Sequence, residues 1–456
     1  MKLETVKSFI LIVLIGISII LSYTLWSYQP NSNQTIGGEI ADNEMNAGGR
    51  DDLKKRELIK PSDIIFHMEQ DHYGFSDARD RDSLFAEMQN WIVSDFEMYS
   101  DVSESIERSP QAIELIFPEE IPLEVLDSIF TFSLNDDDME PSGSMERVMI
   151  SFIADSKSLQ LEFISPEMDQ LAVALVNDAK TYEYMVEKIA DLQKSELTEY
   201  LVINEDINPV YFPAGKMDLQ KYSITPTEIN PSLFVNILFT NPSVVRETRS
   251  QTIGQTYFTD NRQMNVYQDG MRMEYISHVT PTTDGFNRIS EEGLLDQSIA
   301  NINSHSGWTQ AERLNQEYRL EEIDSDSNKV SFQMYYHGYP VFNNLGLDTI
   351  EQVWGVNQNN LQLIEYNRPL FKFDNQFFPR TVDDFQSGEF ILSYLESNED
   401  ISMEDIQDVT IGYELKYQRD DEASEYIEMV PAWYKKENNI WQKLYITDEK
   451  IPRGGN

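Results

Sequence analysis

The chain has 456 residues, 79 acidic against 35 basic, and a formal net charge of −44. That charge repels nucleic-acid phosphates and anionic lipid headgroups, so neither is an expected ligand. With no cysteine, structural disulfides and thiol chemistry are excluded, while 40% hydrophobic and 11% aromatic residues suffice for packed cores rather than an acidic disordered tail.

Residues 8–28, "SFILIVLIGISIILSYTLWSY", carry no charge. Roughly 20 helical residues cross a hydrocarbon core of about 30 Å, so the segment is long enough to span. Its apolar run continues to Leu25 and Trp26 without a small-residue cleavage site, which predicts a retained signal anchor rather than a removed signal peptide. Lys2 and Lys7 precede it, and the first charge after it is Glu39. Positive-inside reasoning therefore puts residues 1–7 in the cytoplasm and everything beyond residue 28 outside the cell membrane. Lys7, Trp26 and Tyr28 are the expected interface anchors. Ser18 and Ser22 lie four apart on one helix face, where small residues permit close contact with a partner helix. The plainer reading makes them ordinary small residues of a membrane helix.

Residues 29–60 are polar and rich in Gly and Asn, which predicts a flexible linker, with the folded part starting near Ile59–Pro61. Residues 61–207 read as an N-terminal α/β domain. "DSLFAEMQNWIVSDF" has Leu84, Phe85, Met88, Trp91, Ile92 and Phe96 at helical spacing. "QAIELIF" predicts a strand ending at Pro118, with a helix after Pro122. "RVMISFIA" and "SLQLEFISP" read as paired strands, "VNDAKTYEYMVEKIADLQKSE" as a helix and "EYLVINE" as a closing strand.

Residues 208–375 read as a central α+β domain. It opens with a Pro- and Asn-rich connection holding one helix. A hairpin follows around Asp269-Gly270, a favoured two-residue turn. A helix, "ISEEGLLDQSIANINSH", then precedes the strands "NKVSFQMYYHGYPVF" and "LQLIEYNRPLFKF". Residues 376–456 repeat that plan as a C-terminal α+β domain: helix "DDFQSGEFILSYLES", then "DVTIGYELKYQ" and "YIEMVPAWYKKENNIWQKLYIT". A helix followed by a curled antiparallel sheet is an α+β module, so the expected fold class is α+β.

No catalytic constellation emerges. The five histidines are His67, His72, His278, His305 and His337. His67 and His72 are five apart, about 140° of rotation on a helix, so they do not share a face as the histidines of H-E-x-x-H do. "DSDSNK", residues 324–329, begins like a calcium loop, but Lys329 stands where Gly belongs and Tyr335 where the bidentate Glu belongs. "NDDDME", residues 135–140, has no ligand framework around it. There is no G-x-S-x-G elbow, P-loop or G-x-G-x-x-G. No catalytic, cofactor-binding or metal residue is assigned, and the expectation is a protein that is not an enzyme. A wall-active carboxylate enzyme is the weaker reading. The large acidic surplus reads as a solvated surface, with divalent cations or a basic partner as the alternative.

Three segments point to a family. "VKSFILIVLIGISIILSYTLWSYQP", with Trp26, Tyr28 and Pro30 at its exit, resembles the start of YycH-family proteins of Gram-positive bacteria. "FQMYYHGYPVF", Phe332 to Phe342, resembles the G-Y-P-V strand of that family and of its companion YycI. "MVPAWY", Met429 to Tyr434, resembles a strand of PepSY-like modules. The resemblance implies a single transmembrane helix and a multi-domain extracytoplasmic region with two PepSY-like (YycI-like) modules. It implies an accessory regulator that acts with a YycI homologue on the sensor histidine kinase (YycG/WalK type) of a two-component system for cell-wall metabolism. Regulation would pass through transmembrane helix contacts and tend to restrain the kinase. A homodimer stays open. The alternative is an extracytoplasmic PepSY-type binding module that inhibits a protease or recognises a wall component.

Overall fold

The computed structural model describes residues 46–98, 111–133, 143–167, 170–192, 197–205, 208–250, 254–267, 270–278, 289–357, 360–419 and 425–445. The expected membrane segment 8–28, with Lys7, Ser18, Ser22, Trp26 and Tyr28, lies outside them, as do the 135–140 loop and Asp269. Among the described residues no helix is long and apolar enough to cross a membrane. The architecture is α+β and mostly sheet.

Ten strands build the first sheet: β1 (Asp63–Met68), β2 (Asp71–Phe75), β3 (Ile92–Met98), β4 (Gln111–Pro122), β5 (Thr131–Phe132), β6 (Ser144–Ile153), β7 (Ser158–Ile164), β8 (Gln170–Val176), β9 (Leu197–Ile203) and β10 (Val210–Pro213). Their order is β10-β9-β2-β1-β4-β6-β7-β8-β3-β5. Among the described residues four helices accompany them: α1 (Lys55–Leu58), α2 (Ala78–Met88), α3 (Leu126–Ile129) and α4 (Ala179–Leu192). Ile113, Leu115 and Phe117 of β4 are buried, as are Leu159, Leu161 and Phe163 of β7. β6 and β7 pair as the alternating patterns predict. Helix α2 starts where the Asp77 carboxylate accepts the Arg79 amide at 2.9 Å. It buries Leu84, Phe85 and Met88, with Phe85 edge-on to Phe117 at 6.1 Å.

Three expectations change here. The helix read from Asp82 to Phe96 stops at Met88, and the chain returns as β3, where Val93 and Phe96 are buried and Ile92 is exposed. A bulge at Asp95, φ 52°, gives β3 a helix-like spacing of apolar residues. Strand β4 runs through Pro118 to Pro122, across a register shift between Ile116 and Ile121 that accommodates the proline. Residues 46–60, read as linker, are packed: Ala47, Leu53 and Leu58 are buried, and the Ala47 and Gly49 amides donate to His305 O and Ser306 O at 2.9 Å. Glycine here serves close approach rather than flexibility. A Cβ on Gly49 would sit 2.8 Å from Ser306 O and closer still to the Trp308 carbonyl.

Fifteen strands build the second sheet. They begin with β11 (Gln220–Glu228), β12 (Arg246–Ser250), β13 (Gly254–Phe258), β14 (Arg262–Tyr267) and β15 (Arg272–Ser277). Next come β16 (Gln316–Asp324), β17 (Lys329–Tyr336), β18 (Tyr339–Phe342), β19 (Thr349–Asn357) and β20 (Asn360–Pro369). The last are β21 (Phe371–Gln376), β22 (Arg380–Thr381), β23 (Ile406–Arg419), β24 (Glu425–Glu437) and β25 (Ile440–Lys443). Among the described residues three helices belong with them: α5 (Pro231–Leu238), α6 (Glu291–Asn303) and α7 (Gly388–Ser397), capped by Asn230, Ser290 and Ser387. Helix α6 leads into β16–β20, and α7 into β23–β25. Strand β18 lies parallel to β23 and joins the two groups into one sheet, while β11 inserts between β24 and β21. The Phe332–Phe342 segment, read as a single strand, is the hairpin β17–β18, turning over His337 and Gly338 with φ of 51° and 79°.

The two sheets meet through polar and apolar contacts. Arg319 of β16 is fully buried, donates to Asp82 of α2 and to Glu317, and stacks on Tyr335 at 4.3 Å. Lys60 donates to Glu317 at 2.7 Å, and Arg81 donates to Gly338 O at 2.7 Å. Phe212 of β10 meets Trp433 of β24 edge-on, and both belong to a second apolar cluster with Ile391 and Leu395 of α7.

Candidate functional site

A polar cleft of about 250 Å³ opens where the sheets meet. Its walls include Asp63 at the start of β1, Glu119 of β4, Glu146 and Arg147 of β6, Asp408 of β23 and Lys436 of β24. A smaller recess of about 50 Å³ shares Asp63 and Asp408 and extends to Glu321, Tyr339 and Trp441. Long-range pairing assembles this wall, since its strands are scattered over about 370 residues of chain, from Asp63 to Lys436.

Carboxylates outnumber the cations available to them. Lys436 bridges to Glu119. Arg147 is committed to Glu114 at 2.9 Å, Asn208 at 2.8 Å and Pro209 O at 2.9 Å. Burial pushes Asp63 up to about 7, against the pull of Arg81, with neighbouring Asp408 adding to the rise. Glu146 rises to about 7 through burial, opposed by Arg147 and Lys436. Glu321 rises to about 8 through burial, with Lys436 opposing and Glu119 assisting. Asp408 is raised by burial as well, in spite of Lys436. These groups are half-buried, so water reaches them at the cleft wall.

Beside the cleft stands a chain of four ionisable side chains. β1 and β2 form a tight hairpin, and its register sets His67 directly opposite His72. The two Nδ1 atoms are 2.9 Å apart. His67 Nε2 lies 2.9 Å from Glu114 Oε2, and Glu114 Oε1 accepts from Arg147 Nη1 at 2.9 Å. Burial alone would raise Glu114, but the His67 hydrogen bond and the Arg147 charge hold it at about 2. Tyr211 packs edge-on against both imidazoles, with centroids at 5.6 and 5.0 Å. The segment "HMEQDH", rejected as a helical H-E-x-x-H motif because residues five apart do not share a helix face, is a hairpin whose two-residue turn makes the two histidines cross-strand neighbours. Glu114 and Arg147 escaped the sequence reading. Their signal was a charge inside the apolar runs "AIELIF" and "ERVMISF".

The remaining candidates resolve as structure. Asp324 accepts the Asp326 amide at 2.8 Å and the Ser327 hydroxyl at 2.6 Å, closing the β16–β17 turn. His305 is buried against the Tyr366 hydroxyl at 3.0 Å, and burial with nearby Arg368 lowers it to about 3. Among the described residues, no group of three or more His, Asp or Glu is placed to hold a metal ion.

Two family models match the chain: YycH protein, N-terminal domain, over residues 4–194, and YycH protein, C-terminal domain, over residues 207–450. The "Two-component system WalR/WalK regulatory protein YycH" of Bacillus subtilis (strain 168) is 20% identical over 456 residues, covering 96% of this chain and 95% of that protein. The crystal structure of YycH from Bacillus subtilis superposes with a TM-score of 0.66 at 18% identity, covering 88% of this chain and 99% of that chain. That likeness establishes a shared fold.

Proposed function

This chain belongs to the YycH family, and on that premise we propose that it is an accessory regulator of a two-component system controlling cell-wall metabolism, without catalysis of its own. The observation that carries the reading is the end-to-end match to a relative named as a WalR/WalK regulatory protein. The finer reading keeps the sequence expectations. Residues 8–28 anchor the chain in the cell membrane, residues 1–7 lie inside, and the folded region, with two PepSY-like modules, lies outside. With a YycI homologue, the chain restrains the sensor histidine kinase through transmembrane contacts centred on Ser18 and Ser22.

The energetics allow this. A regulator shifts a kinase only by its difference in affinity for the two kinase states. A tenfold change in activity needs about 1.4 kcal/mol of such difference. Polar membrane contacts average roughly 0.6 kcal/mol each, so about three contacts on one helix face are enough.

The test is a helix swap in the native host. Residues 8–28 are replaced by an unrelated span of equal length and orientation, and surface display is confirmed. The expected outcome is loss of kinase co-purification and of control over its wall-metabolism targets. Unchanged regulation would reduce the helix to a tether and move the effector to the folded region.

A further inference from the structure

We propose that β12, an open end of the second sheet, pairs antiparallel with β12 of a second copy of this chain, about a two-fold axis through Thr248. The inference rests on the strand itself and stands apart from the regulatory reading.

Each sheet ends on two strands, β10 and β5 in the first, β12 and β21 in the second. β10 is buried throughout, β5 has two residues, and β21 buries Phe371 and Phe373. β12 differs from all three, because every residue from Arg246 to Ser250 is exposed. Among the described residues it pairs with β13 on one side and with no strand on the other. A strand that buries nothing and has one neighbour offers its outer backbone N–H and C=O groups to a further strand. Sheet edges are commonly blunted by lysine, proline or a bulge. β12 contains no lysine or proline, and its register with β13 runs unbroken from Arg246 opposite Phe258 to Ser250 opposite Gly254.

The side chains choose the partner. Glu247 and Arg249 share one face of the strand, with Arg249 Nε 3.3 Å from Glu247 Oε1. Antiparallel pairing about Thr248 sets Glu247 opposite Arg249 of the second copy, and Arg249 opposite its Glu247. On the other face Thr248 meets its own copy, and Arg246 meets Ser250. Opposite charges and Thr–Thr are favourable cross-strand pairs, whereas like charges directly opposite are destabilising. The neighbouring two-fold registers, with the axis through Glu247 or Arg249, would set each of those residues against itself. The sequence "RETRS" is therefore complementary to its own antiparallel copy in one central register. A two-fold contact of this kind closes at two chains, since each copy uses the same patch. The net charge of −44 opposes self-association, but β12 is locally basic, with two arginines against one glutamate. Physiological salt screens repulsion from more distant charges beyond about 8 Å.

The test uses the full-length chain purified in detergent at physiological salt, with its mass followed by sedimentation equilibrium. The expected result is a concentration-dependent dimer. Glu247→Arg and Arg249→Glu change exposed side chains and keep the fold. Each turns two attractive pairs into two repulsive ones and should weaken the dimer about tenfold. An equimolar mixture of the two variants should dimerise again, because their strands are then complementary to each other. The chain has no cysteine, so Thr248→Cys should give a disulfide-linked dimer on mild oxidation, in far higher yield than Arg246→Cys. A monomer at every concentration overturns the proposal. So does a dimer that both charge reversals leave intact, which would put the contact elsewhere in the chain. Mixed variants that fail to recover, or equal cross-linking at positions 246 and 248, overturn it too and leave the edge to a strand of a different protein.

Discussion

Glu114 shows what a single side chain does in this protein. It is 1% exposed, sits in a central strand, and bonds to Arg147 on one side and His67 on the other. Removing one partner of a buried ion pair leaves the other charge uncompensated, at a cost of about 3–5 kcal/mol. Glu114→Gln keeps the shape and some hydrogen bonding, so the expected loss is about 3 kcal/mol, read from urea unfolding followed by tryptophan fluorescence. The pH dependence has a definite sign. The folded carboxyl is held at about 2, below its ordinary 4.5. Its contribution is complete above pH 4.5 and is lost as pH falls toward 2. The gap between the original chain and Glu114→Gln should therefore narrow below pH 4.5 and be constant at neutral pH. A gap that widens in acid would contradict this ionic role. The charge in "AIELIF" was visible in the sequence as an anomaly, but its partner at position 147 was not, because β4–β6 register is a long-range fact.

At the scale of elements, local patterning was legible wherever one residue period dominated. The helices at Ala179–Leu192, Glu291–Asn303 and Gly388–Ser397 and the β6–β7 pair lie within the segments read as such, and the connection expected to hold one helix holds Pro231–Leu238. Legibility failed where two periods coincide, as in β3 after α2, and where a short turn was left unread, as in "HMEQDH", or absorbed into a longer strand, as in "YYHGYP". The second turn also holds the sheets together. Gly338 has φ +79°, and a Cβ there would lie 2.6 Å from the Ala78 Cβ at the start of α2. Its carbonyl accepts from Arg81. Gly338→Ala therefore combines backbone strain with a steric push on the helix, for an expected loss of about 1–3 kcal/mol. Hydrogen exchange should accelerate in Ala78–Met88 and in β17–β18, while the distant β13–β14 hairpin keeps its protection. Uniform acceleration across both sheets would show that the turn acts on global stability and not on the joint.

The joint between the sheets is a property of the whole chain, and no window of sequence contains it. Composition announced a large acidic surplus, read as a solvated surface, yet some of that surplus is turned inward at Asp63, Glu146, Glu321 and Asp408. Each is raised by burial. For a group raised on folding, the native state binds more protons than the unfolded one, so its contribution is intact below the unfolded pKa and lost as pH rises through the folded value. For Glu321 the window runs from about 4.5 to about 8. Histidines lowered on folding, His72, His305 and His337, act in the opposite direction up to about pH 6.5, which masks the carboxylates in a simple melting curve. Glu321→Gln isolates the effect. At pH 4 the variant and the original chain should melt together. By pH 8 the variant should be the more stable by about 1–2 kcal/mol, a figure reduced for water at the cleft mouth. Exchange at Ile406–Ile411 should slow with it, because Asp408 lines the same recess as Glu321. Equal stability at every pH would mean that the cleft hydrates its carboxylates fully and places no electrostatic load on the joint.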